Sequence, residues 1–297
     1  MSLLRQSDGA NRERASRALL LVLPLLVVAG LLRPQGTGGV ATSSKILGPA
    51  IYDIVIVGDS RTSQGISPAA MSVVLGGRRA MNLGYNGVCL NRAYLTAASK
   101  RLDPSRPGRT LVIAVSPYAL TPRADRESSF KADAEVREAL RWVDTYASPI
   151  AAFFAPYELP GPPRMATVTR FQDGWEAQQT AEDKPLASQL HYRDNFDGNQ
   201  VSSGIVDELL ETVAELRAAG ILIVAFRMPA YPALQALEDS LSGYDDASLS
   251  IKFRGAGARW LEFESERYRY YDGTHMPSEA AREFSRDLAE AMRRAAP

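Results

Sequence analysis

The sequence predicts an α/β fold, a three-layer αβα sandwich around a parallel five-stranded sheet, preceded by one N-terminal membrane helix. Two observations predict the sandwich. Short apolar runs recur between residues 51 and 263, and helical patterns rather than tight hairpin turns separate them. Strands that alternate with helices pair in parallel and are covered on both faces. A third observation predicts the membrane helix: residues 18–32 carry no charge and follow a basic flank.

That flank holds Arg5, Arg12, Arg14 and Arg17, and Arg33 closes the run ALLLVLPLLVVAGLL. A basic flank before an apolar run marks a signal peptide or a signal anchor. The run is slightly short of the roughly 17–25 residues that span a bilayer, and snorkelling arginines extend its reach. Without a clear A-x-A site or a lipobox cysteine, an uncleaved anchor is the favoured reading. The predicted organisation is a cytoplasmic flank over 1–17, a transmembrane anchor over 18–33, a linker over 34–48 and one domain over 49–297. The positive-inside rule then puts that domain on the extracytoplasmic side.

Within the domain the elements follow in order. IYDIVIVG (51–58) reads as a buried parallel strand ending in glycine. Ser67-Pro68 offers an N-cap followed by proline at the first helical position. RAMNLG (79–84) is a second strand, LNRAYLTAASKRL (90–102) a helix and TLVIAVS (110–116) a third strand. Residues 131–147 read as helix, and 148–200 as an insertion with little regular structure. The rhythm returns with a helix over 203–219 closed by Gly220. ILIVAF (221–226), a helix over 232–242, a weaker strand ARWLEF (258–263) and a final amphipathic helix over 277–295 complete the pattern.

Composition narrows the function classes. Lys+Arg and Asp+Glu both number 34, so no basic surplus points to nucleic acid. One cysteine, Cys89, excludes an intrachain disulfide and a Cys₄ or Cys₂His₂ zinc site. The two histidines are His191 and His275, and no His-x₃-His pair exists. No metal or organic cofactor is expected.

In open parallel sheets the chemistry lies in loops at the carboxyl ends of the strands. The first strand runs into GDSRTSQG, which places Ser60 at such an end. Taken alone, Asp59 and Ser60 also suit a simple turn and helix cap. The last loop carries Asp272-Gly273-Thr274-His275 just before the final helix. That spacing lets the carboxylate orient one ring nitrogen and leaves the other facing outward, although an isolated Asp/His pair also serves as a helix cap. Together the two segments supply a nucleophile, a general base and an orienting acid: Ser60, His275 and Asp272.

With these residues in view, the sequence resembles the SGNH (GDSL-like) hydrolase superfamily, through Gly58-Asp59-Ser60 and Asp272-Gly273-Thr274-His275. The resemblance implies a flavodoxin-like sheet, and an oxyanion hole built from the amide of Ser60 and a glycine after the second strand. Gly87, in NLGYNG, matches that glycine best. The family's third block places an asparagine after the third strand; here Val115-Ser116-Pro117-Tyr118 stands instead, leaving Ser116 or Asn86 as candidate donors. Membrane-anchored envelope members, such as proteins resembling the D-alanyl transfer protein DltD and the alginate acetylation proteins, share the Ser-Arg step seen in Ser60-Arg61. They imply esterase or acyltransferase activity on acyl esters of an envelope or exported polysaccharide, beside a multi-spanning membrane acyltransferase. Arg61, and Arg227 after the fourth strand, are candidate substrate-binding residues, and Arg227 equally suits a surface or structural ion pair. Tyr268, Tyr270 and Tyr271 suit either a sugar platform or the core. A non-catalytic scaffold that keeps the fold and binds polysaccharide is the competing reading. A nucleotide-binding domain is disfavoured, because no G-x-G-x-x-G follows the first strand.

Overall fold

The computed structural model describes residue 45, residues 49–131, 167–179, 184 and residues 186–295. The apolar run at 18–32, the linker apart from Lys45, and the helix expected over 131–147 apart from Lys131 lie outside the described residues. Among the described residues no helix is long and apolar enough to cross a membrane.

Five parallel strands form the sheet: β1 (Ile54–Val57), β2 (Ala80–Asn82), β3 (Thr110–Val115), β6 (Leu222–Arg227) and β7 (Arg259–Leu261), in the order β2-β1-β3-β6-β7. Four lie within runs that the sequence marks as strands, and β6 extends one residue, Arg227, past its run. Counted along the sheet alone the order is 2-1-3-4-5, a doubly wound arrangement whose switch point falls between β1 and β3. All four residues of β1 and all six of β3 are buried, which is why these segments read as continuous apolar runs and not as alternating ones.

Side chains alternate across the sheet, so each strand feeds two cores. Val55, Val57, Leu111 and Ile113 pack under α3 (Arg92–Ser99), α6 (Ser203–Ala218) and α8 (Asp246–Gly255). Ile54, Ile56, Val112 and Ala114 pack under α2 (Pro68–Val74) and α9 (Ser278–Arg294). On α9 the buried Phe284, Leu288 and Met292 recur every four residues and line one helical stripe. Burying each such large side chain stabilises the fold by about 1.5–3 kcal/mol.

Local signals end the helices where the sequence places them. Ser67 caps α2, accepting from the Ala70 amide at 3.4 Å. Gly220, at φ +78°, closes α6: its amide donates to Arg217 O at 2.9 Å and that of Ile221 to Leu216 O at 3.1 Å. Helix α8 was not expected; Asp245 caps it by accepting from the Ser248 amide at 3.0 Å.

The segment 148–200 is more regular than expected. Its described part contains an antiparallel hairpin, β4 (Thr167–Arg170) with β5 (Glu176–Gln179), and the helix α5 (Gln189–Phe196). The hairpin turn uses Asp173-Gly174, a turn dipeptide that was there to be read. Asp173 O accepts from the Asn82 amide at 2.8 Å, so the hairpin covers the outer edge of β2. A Cβ at Gly174 would stand 1.9 Å from Asn82 O, so only glycine permits this approach. Helix α5 has little amphipathic signal; Tyr192 and Phe196 hold it against α7 (Pro232–Ser242) through Leu234. Tertiary packing, not propensity, makes it a helix.

Candidate active site

At the carboxyl end of β1 the chain turns at Gly58, where a Cβ would lie 2.1 Å from Thr62 Oγ1 and 2.7 Å from Ala114 O. Only glycine fits. Asp59 then caps the short helix α1 (Ser60–Gly65), Oδ1 accepting from the Arg61 amide at 3.0 Å. Its Oδ2 accepts from the Ser116 hydroxyl at 2.5 Å. Ser60 is the first residue of α1 and is half-buried.

The loop before α9 brings His275 to that serine. Gly273, at φ +94°, lets the chain curl so that one carboxylate oxygen, Asp272 Oδ1, accepts from the Thr274 amide at 2.9 Å, the Thr274 hydroxyl at 3.0 Å and the His275 amide at 2.8 Å. Asp272 Oδ2 lies 2.7 Å from His275 Nδ1, and His275 Nε2 lies 2.9 Å from Ser60 Oγ. The three residues picked from the sequence thus form one hydrogen-bonded chain. Burial raises the cost of charge on Asp272, but the hydrogen bonds and charge of His275 and the Thr274 amide outweigh it, holding this carboxyl well below the usual carboxylate range. The side chains of His275 and Asp272 keep 19% and 24% of their exposure, so the site opens to solvent.

Neighbouring groups fix the imidazole plane. The Tyr271 ring stacks beside it, with centroids 5.9 Å apart and planes at 20°. The Tyr271 hydroxyl donates to Gln64 Oε1 at 2.8 Å, and Trp175 Nε1 in the hairpin donates to Gln64 O at 2.8 Å. Tyr268 and Tyr270 do not line the site. They are buried, and Tyr268 packs edge-on against Phe284.

The loop after β2 is bound to the turn that carries Ser60. The Tyr85 amide donates to Gly58 O at 3.0 Å, and the Tyr94 hydroxyl donates to Leu83 O at 2.7 Å while accepting from the Gly58 amide at 3.1 Å. Asn82 bridges the same elements, its Nδ2 donating to Thr62 O and Ile66 O at 2.8 and 2.7 Å and its Oδ1 accepting from the Gly84 amide at 2.8 Å. Gly87 sits in this loop, half-buried at φ +56°, and a Cβ there would meet nothing within 4 Å. Its backbone therefore borders open space.

Four other expectations are corrected or left without support. Ser116 is fully buried and its hydroxyl is committed to Asp59, so it serves the turn and not an oxyanion. Asn86 is exposed; its carbonyl accepts from the Ser129 hydroxyl, and among the described residues no hydrogen bond joins it to Ser60 or His275. Arg61 is only 4% exposed and its guanidinium is bound to Glu238 and Tyr192, so it does not reach out for substrate. Arg227 is likewise buried, between Asp239, Glu238 and the Tyr244 ring, whose centroid lies 4.6 Å from its guanidinium carbon.

Sequence reading missed Glu238, Asn82, Tyr94 and Gln64. The signal available for Glu238 was its place among Leu234, Leu237 and Leu241, an acid on an apolar helical face. Among the described residues no three of His, Cys, Asp and Glu are grouped to hold a metal ion. No family model matches the chain, and no curated protein matches it.

Proposed function

We propose that this protein is a serine esterase or O-acyltransferase of the SGNH type, acting on acyl esters of an envelope or exported polysaccharide. The carrying observation is the run Ser60 Oγ, His275 Nε2, His275 Nδ1, Asp272 Oδ2, with links of 2.9 and 2.7 Å. Asp272, ionised through the neutral range, keeps the Nδ1 proton on its side, so Nε2 has a free lone pair towards Ser60. His275 takes the Ser60 proton as Oγ attacks the acyl carbonyl, then returns that proton to the departing alcohol. Water or a sugar hydroxyl, deprotonated by the same nitrogen, releases the acyl group. The Ser60 amide, in the first helical turn where amides lack an intrahelical acceptor, and the Gly87 amide are the proposed oxyanion donors.

The sheet order, which is also that of flavodoxin-like folds, supports the family reading. An acetyl ester is the proposed acyl substrate. The basic flank and apolar run of the sequence support a membrane tether with the domain on the extracytoplasmic side, beside a multi-spanning acyltransferase.

The test is hydrolysis of p-nitrophenyl acetate by the chain, its Ser60→Ala and its His275→Ala. Activity lost in both variants supports the reading. Activity unchanged in Ser60→Ala overturns it. The scaffold reading draws on the end of β3, where the Ser116 hydroxyl is tied to Asp59. It gains if the wild type neither cleaves the ester nor takes up a fluorophosphonate on Ser60.

A further inference from the structure

We infer that Glu238 is a positioning residue for Ser60: by gripping Arg61 with both carboxylate oxygens, it holds the turn that carries the nucleophile in line with His275. The inference rests on the esterase reading for its catalytic meaning.

Helix α1 has six residues, too few to hold a direction by its own hydrogen bonds. Ser60 is its first residue, so the hydroxyl's aim depends on what grips the two neighbouring positions. On one side Asp59 is tied to Ser116 at the end of β3. On the other, Arg61 sends NH2 to Glu238 Oε1 at 2.5 Å and NH1 to Oε2 at 3.3 Å. The same NH2 meets the Tyr192 hydroxyl at 2.5 Å, and the guanidinium lies over the Tyr192 ring at 5.6 Å. Glu238, with no exposed surface, also accepts from Arg227 NH2 at 3.5 Å. Arg227 is itself held by Asp239 on the next position of α7. One carboxylate thus joins the nucleophile turn, the end of β6 and α7.

Stability alone does not account for this arrangement. Taking these charges out of water is costly, and apolar side chains of similar volume commonly stabilise such a place as well or better. What a two-pronged arginine–carboxylate contact adds is a fixed orientation, which apolar packing does not impose. The contact falls on the residue that follows the nucleophile, where a displacement of about 1 Å lowers a rate by about 100-fold.

Two variants of the chain test this: Arg61→Lys, and the double variant Glu238→Met with Arg61→Met. The double variant removes the pair without stranding a buried charge, so it is expected to keep its melting temperature within a few degrees. Its kcat for p-nitrophenyl acetate is expected to fall about 100-fold with KM within about twofold, since binding is untouched and only the aim of the hydroxyl is lost. Its crystal structure should show Ser60 Oγ moved off His275 Nε2. A folded double variant with wild-type kcat, or with the 2.9 Å contact intact, overturns the inference. Should the double variant not fold, Arg61→Lys, which keeps the charge and loses the fork, decides it by the same kcat and KM. A wild type that neither cleaves the ester nor takes up a fluorophosphonate would sink the esterase or acyltransferase reading, while the Ser60–His275 distance in the variants would still decide whether Glu238 places Ser60.

Discussion

Ser60 Oγ and His275 Nε2 lie 2.9 Å apart although 215 positions separate the two residues in the chain. The sheet makes the meeting possible. β1 is next to the centre, its carboxyl end presents Ser60, and α9 packs back along α2, so the loop before α9 arrives at the same end.

Asp272→Asn is expected to leave the fold in place and lower kcat by about 10⁴-fold, because an amide in this position stabilises the wrong imidazole tautomer. The carboxyl also contributes to stability. Its folded-state pKa lies below the unfolded value of about 3.9, so folding favours the charged form. The contribution is fully present above the unfolded value and is lost as pH falls towards the folded one. Urea unfolding of wild type beside Asp272→Asn should show a stability difference at pH 6 that shrinks below about pH 4. A difference that grows in acid would contradict the assignment.

Tyr271→Phe removes the hydroxyl that donates to Gln64 while leaving the ring beside His275. One neutral hydrogen bond contributes about 0.5–1.5 kcal/mol, so kcat should drop about two- to tenfold. Tyr271→Ala, which also removes the stacked ring, should lose more. Equal rates in both variants would mean that the ring does not orient the imidazole.

Gly174→Ala forces a Cβ to within 1.9 Å of Asn82 O at a residue with φ +86°, against backbone that has no way to yield. The hairpin should lift from β2, costing about 1–3 kcal/mol. Hydrogen exchange reads this directly: the Asn82 amide, which donates to Asp173 O, should lose protection while β3 amides keep theirs. Unchanged protection at Asn82 would remove the hairpin's role as an edge cover.

Cys89 is buried, and burial pushes its thiol up to about 12, with Asp125 adding to the effect. At pH 8 the thiolate fraction is then on the order of 10⁻⁴, too small to attack a disulfide reagent quickly. The folded chain should not react with 5,5′-dithiobis(2-nitrobenzoate) within minutes, and should react stoichiometrically in guanidinium. Rapid labelling of the folded chain would show that the residue is reached by solvent.

The sequence by itself determined the five strands of the parallel sheet, most of the helices and the three residues of the hydrogen-bonded chain. The reason is physical: strands buried on both faces must be continuously apolar, helix ends need caps, and a turn that joins Asp272 to His275 must close within four residues. Each of these constraints acts over a few positions and leaves its mark locally. What only the tertiary structure decided is what the flanking polar groups do. Ser116 and Arg61 look free in the sequence, yet one is spent on Asp59 and the other on Glu238, 177 positions away. Arg227 suits either a substrate clamp or a structural ion pair in the sequence, and the fold makes it the ion pair, with Asp239 and Glu238. A buried charge must find its partner wherever the packed chain brings one, and neither spacing nor periodicity encodes which partner that will be.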